Sequence, residues 1–598
     1  MTRREAVLSA GAVFVVAVAV RAWAATQITF PRPEDVAYYV GVARNLIEGH
    51  GLTTDAIWSF GTPPLAFPRA AFEVWLPLPS LFAAIPMALF GTTFAAAQLS
   101  SILTGSVVAV LAWRLAADVA SARGFTPGRA RTLALGAGLT AAVYLPLVLA
   151  SVQPDSTMPF AAFVLAACLL ITRLQRAATM RGLLGLGALI GLAALTRNEA
   201  IWLALAWAIL ASGIAVRSAP EARFAGRLRA WVGLILPSAA VAVVVFAPWA
   251  VRDWIEYGSL FPGQTLTNAL SLDGRDIFAW QNPPTVARYL GAGLGKLLEL
   301  RWTGTVHNIV SVLLFLGVPL SVLGLLGLPG IVRQPRPPGS RASASSVINP
   351  QASRATQTEE PRADGAPRTS DARPTDEARP AVDPLRVLIL FSAITFAVAS
   401  LVFPVSTTWG TFLHAAGGIH VLLVISALLV LDRAIVWVGA RRGWTNPVAW
   451  LGPAFAIAGC LLFSAVILPA DGRDAHNASE RYAALAAAFS QPGSELDLAA
   501  EPGPVITDFP IWFAEATRHH ALALPNEPPE SILDLARSFD PPARLLVVDA
   551  GNDGVWPAAI IDGAPGSECF VPIELPDLPD HPGALDTVLA FRIRACNR

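Results

Sequence analysis

Apolar runs of about twenty residues recur along the chain, and each is long enough to cross a lipid bilayer. The first covers residues 6–28, directly behind Thr2-Arg3-Arg4. A run here can be a signal peptide, but this one is long and lacks an obvious cleavage site. It reads as a retained helix with its N-terminus inside. A second apolar stretch, 77–118, is punctuated by Pro77, Pro79, Pro86 and Gly91. It reads as two crossings, or as one crossing preceded by a short dipping helix. Further spans are expected near 132–150, 156–172, 182–196, 199–216, 230–250, 305–330, 385–403, 417–437 and 446–468. The clusters Arg123/Arg129/Arg131, Arg173/Arg176/Arg181, Arg217 to Arg229 and Arg441/Arg442 fall on one side only if 77–118 crosses once. The pattern predicts a polytopic α-helical membrane protein of about eleven transmembrane helices, with its C-terminal region outside.

The polar segments divide the chain. An external loop at 29–75 belongs to an N-terminal membrane module, 1–333. Residues 334–384 are rich in Pro, Ser, Arg and Thr and nearly free of large apolar residues, which reads as a disordered cytoplasmic linker. Spans resume over 385–469. From 470 to 598 the pattern becomes that of a small extracytoplasmic α/β domain. Strands are expected at Pro504–Asp508, Arg544–Asp549, Phe570–Leu575 and Thr587–Ala595, and a helix at 529–538. Antiparallel pairing of the last two strands would set Cys569 beside Cys596, where an oxidising compartment permits a disulfide. Cys168 and Cys460 fall in spans and read as packing residues. No internal repeat is visible, and the sequon Asn477-Ala478-Ser479 is given no role.

Composition narrows the class. Hydrophobic residues make up 54% of the 598, charged residues only 14%, and the net charge is +0. That excludes an ordinary cytosolic enzyme, a disordered chain and a nucleic-acid binder. Lys296 is the only lysine among many arginines; with abundant Ala, Pro and Gly, this suggests a GC-rich bacterial genome.

The residues able to do chemistry lie in the external segments. Asp35 opens a short amphipathic helix carrying Tyr38, Tyr39, Val42, Leu46 and Ile47 and ending at Gly49 and Gly51. On local pattern alone Asp35 reads as a helix cap or as a functional carboxylate. Asp155 sits in the short turn Gln153-Pro154-Asp155-Ser156, again as a cap or as a second acid. Arg197-Asn198-Glu199 interrupts 35 apolar residues, either as a local ion pair or as a phosphate contact. Arg252 follows an apolar run and is either a snorkelling anchor or a fork for two phosphate oxygens. His414 stands before a late span, as a helix cap or a phosphate contact; His420 is read as structural. Trp58, Trp75, Trp254, Trp280 and Trp302 are expected in an interfacial belt. Metal-ligand spacing, a P-loop and a Gly-x-Ser-x-Gly elbow are absent from the sequence.

Several of these segments resemble the GT-C membrane glycosyltransferases, among them protein O-mannosyltransferases and lipid A aminoarabinose transferases. Asp35, Tyr39 and Ala43 match the spacing of that family's first external loop, and Arg44 is also common there. The family's Asp-Glu pair is broken by Val36, while Glu34 lies on the other side. Pro77-Leu78-Pro79-Ser80 with Leu89-Phe90-Gly91, Gly191 to Arg197, and Ala247-Pro248-Trp249-Ala250-Val251-Arg252 with Tyr257-Gly258-Ser259 resemble further family segments in order. Gly410-Thr411-Phe412 stands where the family often has Gly-Arg-Tyr.

The resemblance implies an inner-membrane inverting transferase that takes a sugar from a polyprenyl-phosphate donor. Asp35 would be the general base and Asp155 a supporting acid. Arg252, Arg197, Tyr39, Glu34 and His414 would be substrate contacts. The two acids could share a divalent metal, and metal dependence stays open. The acceptor, whether lipid, glycan or protein, is not readable. The rival readings are a transporter or lipid flippase, and a GT-C-like scaffold without activity.

Overall fold

The protein is described by a computed structural model covering residues 2–218, 223–332, 383–444, 448–551 and 554–596. The linker expected at 334–384 lies almost wholly outside these residues. The chain builds a helical membrane layer capped on one face by an α/β layer.

The helices of the first half are α1 (Arg3–Ala25), α2 (Glu34–Ile47), α3 (Leu78–Phe90), α4 (Phe94–Ala122), α5 (Pro127–Val143), α6 (Leu145–Val152), α7 (Thr157–Leu174), α8 (Met180–Ala194), α9 (Ala200–Ser218) and α10 (Phe224–Tyr257). Then follow α11 (Thr265–Leu270), α12 (Val286–Gly291), α13 (Gly293–His307), α14 (Ser321–Val332), α15 (Leu385–Leu401), α16 (Thr411–Ala415), α17 (Gly417–Arg441) and α18 (Leu451–Phe489). Among the described residues seven helices are long and apolar enough to span a membrane, and α5 with α6 makes an eighth as a bent pair. α3, α8, α14 and α15 are apolar but shorter. The expected eleven would require three of these to cross as well. Within 77–118 only α4 is long enough to span, with α3 a short helix before it.

The bent pair shows how the interior accommodates a break. α5 and α6 meet at 52° around the extended Tyr144, because Pro146 has no N–H to give Ala142 O and its ring would crowd that carbonyl in a continuous helix. The carbonyls freed there need partners in an apolar medium. Arg21, fully buried in α1, supplies them: its guanidinium donates to Ala142 O (3.1 Å) and Ala141 O (3.3 Å), and its Nε donates to Ser151 Oγ at 2.9 Å. Ser464 donates to Val143 O at 2.8 Å. α4 approaches α6 closely at Gly105, where a Cβ would stand 2.0 Å from Ser151 Oγ. Gly187 and Gly191 likewise let α8 lie against the backbone of α10.

One rim of the bundle is laced by ion pairs: Arg123–Asp383, Arg129–Asp432 and Arg131–Glu5. From this rim α1 carries the chain across the bundle to the opposite face, where the 29–75 loop begins.

The covering layer is a six-stranded sheet in the order β2-β5-β4-β6-β8-β7. A two-stranded ribbon pairs β1 (Thr53–Thr54) with β3 (Arg69–Ala70). In the large sheet β2 (Ala56–Ile57), β4 (Val505–Thr507), β5 (Ala521–Ala523) and β6 (Leu545–Asp549) run parallel. β7 (Phe570–Ile573) and β8 (Val588–Ile593) complete it antiparallel. α19 (Pro510–Thr517) and α20 (Pro529–Arg537) connect the parallel strands. All four strands and the helix expected from the sequence are present. Two features of the sheet are additional. β5 is only three residues long, and β2 comes from the external loop near residue 56, some 450 positions from its partner. The boundary expected at 470 falls inside α18, which runs unbroken from the membrane layer into the covering layer. Cys569 and Cys596 are joined by a disulfide.

Candidate functional site

The first turn of α2, the α6–α7 turn, the Arg197 turn and α16 converge between the two layers. Asp35 is the second residue of α2, behind the cap position Pro33. A carboxylate there is favoured by the unpaired N–H groups and the positive end of the helix. Asp155 lies just before α7 and accepts from Thr157 N (2.8 Å) through Oδ1 and from the Thr157 hydroxyl (2.9 Å) through Oδ2. It thus holds the start of α7, as the capping reading expected. It also faces His414.

His414 joins the two acids. Its Nε2 lies 3.1 Å from Asp35 Oδ2 and its Nδ1 lies 2.9 Å from Asp155 Oδ2. With a carboxylate on each ring nitrogen, the imidazole is held as the cation. Burial disfavours that charge, but the paired carboxylates outweigh it and push the His414 pKa up to about 10. For Asp35, burial works to raise the pKa, yet the charge and hydrogen bond of His414, helped by Arg197, hold it below the ordinary value. Asp35 Oδ1 is buried and has no hydrogen-bond partner. α16 is positioned by Gly410, whose φ of +109° turns the chain from Ser406–Trp409 into the helix; a Cβ there would stand 3.1 Å from His414 Nε2.

Arg197 is engaged on every side. It forms a two-pronged ion pair with Glu199, donates to Ser156 Oγ at 2.8 Å and reaches Thr411 O at 3.3 Å. Buried Tyr39 packs beside this group, its hydroxyl meeting Ser156. Glu34 points away from the acids. Its Oε1 accepts from the backbone N–H of Ile511 (3.2 Å) and Trp512 (3.4 Å) at the start of α19. Burial outweighs those hydrogen bonds and pushes its pKa up to about 8. Arg252 lies elsewhere, paired with Asp253 at 3.0 Å and stacked over Trp249 and Tyr257. Trp254 and Trp302 are exposed as a belt requires. Trp75 instead packs at a tilt against Trp58 and Tyr38, and Trp280 donates to Asp534 in the covering layer.

A cavity of about 360 Å³ opens beside Asp155 and His414. Pro146, Leu149, Met158 and Leu316 are among its apolar lining residues, and Trp512 of the covering layer also lines it. Arg32, Gln153, Thr157 and His420 add polar groups. None of these four was singled out from the sequence as a site residue. Thr157 and Gln153 follow from their nearness to Asp155. Arg32 and Trp512 carry no sequence signal for the cavity, because distant segments bring them there.

Asp35, Asp155 and His414 offer two carboxylate oxygens and one imidazole nitrogen within 4.8 Å of one another. This donor set, with Asp35 Oδ1 unpartnered, fits a divalent transition metal once His414 is neutral.

Comparison with solved structures shows that the fold is a known one. ArnT from Cupriavidus metallidurans bound to undecaprenyl phosphate superposes with a TM-score of 0.51 at 11% identity, over 99% of this chain and 98% of that one. The apo form of the same protein gives 0.50 at 12% identity, over 97% of each chain. This is the GT-C membrane glycosyltransferase fold. The archaeal oligosaccharyltransferase AglB from Archaeoglobus fulgidus, in complex with an inhibitory peptide and a dolichol-phosphate, is similar at a TM-score of 0.47 and 12% identity, over 95% of this chain and 72% of that one. No protein-family model and no curated protein sequence matches the chain. The likeness is therefore one of fold, at very low sequence identity.

Proposed function

We propose that this multi-pass membrane protein is an inverting glycosyltransferase. It moves a sugar from a polyprenyl-phosphate donor to a hydroxyl acceptor on the extracytoplasmic face of a bacterial inner membrane. The observation that carries the reading is the His414 bridge, which binds two acids from separate segments beside a cavity lined in part by Pro146, Leu149, Met158 and Leu316. The ArnT structure with undecaprenyl phosphate supports a lipid-linked donor.

Asp35 is the general base. Its lowered pKa keeps it ionised at neutral pH, and Oδ1 is free to receive a proton. The acceptor oxygen gives its proton to Asp35 and forms a bond to the anomeric carbon from the face opposite the leaving group. The bond from that carbon to the phosphate oxygen breaks, and the lipid phosphate leaves with the electron pair. Asp155 and Thr157 hold His414, and its positive charge offsets the two acids so that an anionic donor can approach. Arg197 and Tyr39 brace the same wall through Ser156. Glu34 acts at one remove, by fixing the covering layer above the site. Were His414 neutral, Asp35, Asp155 and His414 would be the residues to hold a divalent metal, which would supply the positive charge for the leaving phosphate in place of the imidazolium.

The test uses the purified full-length protein with a panel of hexosyl and pentosyl polyprenyl phosphates and an envelope extract as acceptor. Wild type should release free polyprenyl phosphate from one donor, and Asp35→Asn should not while remaining folded. Release from none of the donors, or equal turnover by Asp35→Asn, overturns the reading.

A further inference from the structure

The reaction above leaves a row of aromatic rings unused. Tyr38 and Trp75 have centroids 4.3 Å apart, Trp75 and Trp58 4.7 Å, Trp58 and Phe278 5.2 Å, and Phe278 and Trp409 5.5 Å. The rings come from α2, the loop behind it, the 274–278 turn and the 406–409 turn. Both ends of the row return to the acids. Tyr38 lies about one helical turn beyond Asp35 on α2. Trp409 closely precedes His414, whose Nε2 is 3.1 Å from Asp35 Oδ2. The middle is tied to the same wall. Leu78 N–H, just behind Trp75, donates at 3.0 Å to Leu195 O, just ahead of Arg197.

The row is built and partly open. A Cβ on Gly274 would stand 1.9 Å from Trp409 Nε1, so the missing side chain admits the indole. Trp409 is 52% exposed, and Trp58, Trp75 and Phe278 are partly exposed. Other indole N–H groups on this face are spent: Trp280 on Asp534, Trp512 on Pro31 O and Trp556 on Glu527 O. Among the described residues those of Trp58, Trp75 and Trp409 have no acceptor, and the first two are open to solvent. A lipid tail would leave these donors unmet. A sugar ring matches both properties: its C–H face packs on an aromatic plane, and its oxygens accept from the indole N–H groups.

We propose that the acceptor is a glycan, and that Trp75, Trp58, Phe278 and Trp409 form the platform on which its sugar units lie. The terminal unit presents its hydroxyl to Asp35. This rests on the transferase reading.

The experiment divides the envelope extract into a glycan fraction freed of lipid and protein, a phospholipid fraction and a peptide fraction. Each is offered to the full-length protein in phosphatidylcholine nanodiscs, with the polyprenyl-phosphate donor that wild type consumes, labelled in its sugar. Label should enter the glycan fraction and resist protease and phospholipase. Trp409→Ala should raise the KM for that fraction roughly tenfold, the worth of one large aromatic face, with kcat within about twofold. Trp409→Phe should restore much of this, and Gly274→Val, which unseats the indole, should behave like Trp409→Ala. Trp58→Ala should give a similar rise. Trp409 is at the surface, so its variants decide the question if Trp58→Ala does not fold. Trp254→Ala, in the lipid belt, should change neither constant. Label entering lipid or peptide, an unchanged KM in Trp409→Ala, or the same rise in Trp254→Ala overturns the platform and leaves the transferase reading standing. Failure of wild type to release polyprenyl phosphate from any donor overturns both.

Discussion

At the residue scale, the site depends on one imidazolium placed between two carboxylates. If Asp35 accepts the acceptor's proton, Asp35→Asn should lower turnover by about 10²–10⁴-fold, the usual weight of general-base catalysis, with little change in donor affinity. The His414 charge also has a pH signature. Its pKa is about 10 in the fold against 6.5 for a free histidine, so its contribution to stability is complete below pH 6.5 and is lost as pH rises through 10. Asp35, with a lowered pKa, contributes above the free value of 3.8 and loses that contribution only as pH falls through its lower folded value. Thermal unfolding between pH 7 and 10 should therefore show wild type losing Tm faster than His414→Gln; parallel curves would refute the ionic bridge. Gly410→Ala tests the turn that presents the histidine. The φ of +109° alone costs a Cβ-bearing residue about 1–3 kcal/mol. The new Cβ also crowds His414 Nε2 at 3.1 Å, so transfer activity should fall further than the Tm shift explains.

At the element scale, α2 serves two neighbours. Its first residue, Glu34, anchors the start of α19, while its second, Asp35, faces the site. Glu34 carries a pKa raised by burial from 4.5 to about 8, against the two N–H bonds that favour the carboxylate, so holding it buried costs stability progressively as pH rises from 4.5 to 8 and no more above that. Gln keeps the accepting carbonyl and cannot ionise. Glu34→Gln should match wild type in Tm near pH 4, already exceed it at pH 6 and lead by most from pH 8 upward, whereas Glu34→Ala should loosen the covering layer throughout, read by proteolysis of that layer. A Glu34→Gln variant that loses stability at pH 6 would show that the charge itself is needed. The bent α5–α6 pair follows the same logic of satisfied groups. Pro146 predicts an interruption, but the burial of Arg21 against the freed carbonyls could not be read from α1, where it looks like one polar residue in an apolar run.

At the scale of the whole molecule, β2 pairs with β5, so the first external loop and the C-terminal domain lie on one face. The ion-paired rim around Arg123, Arg129 and Arg131 lies at the other end of α1. Cysteines introduced at exposed Ala66 and Asp580 should both react with a membrane-impermeant maleimide in intact cells. One at exposed Ala178, in the α7–α8 turn, should react only after permeabilisation. Labelling of Ala66 and Asp580 from opposite sides would contradict the shared sheet.

Local chemistry alone settled much of this protein. Runs of apolar residues marked the membrane helices, because a bilayer demands length and hydropathy that the chain displays position by position. Short apolar or β-branched runs bounded by Pro, Gly and Asp marked four strands of the covering layer. Asp35, Asp155 and His414 stood out as polar residues at the ends of apolar runs. The sequence could not show that these three meet, because two of their neighbours come from segments about 120 and 380 residues further along. It could not reveal β2 or β5, whose two or three residues carry no period, or that Glu34 serves the covering layer rather than the acids. Arg252 and Arg32 look alike along the chain, and only packing decided which pairs with an aspartate and which faces the cavity. Hydropathy acts locally and is legible residue by residue; the pairing of charges depends on which distant segments the bundle brings together.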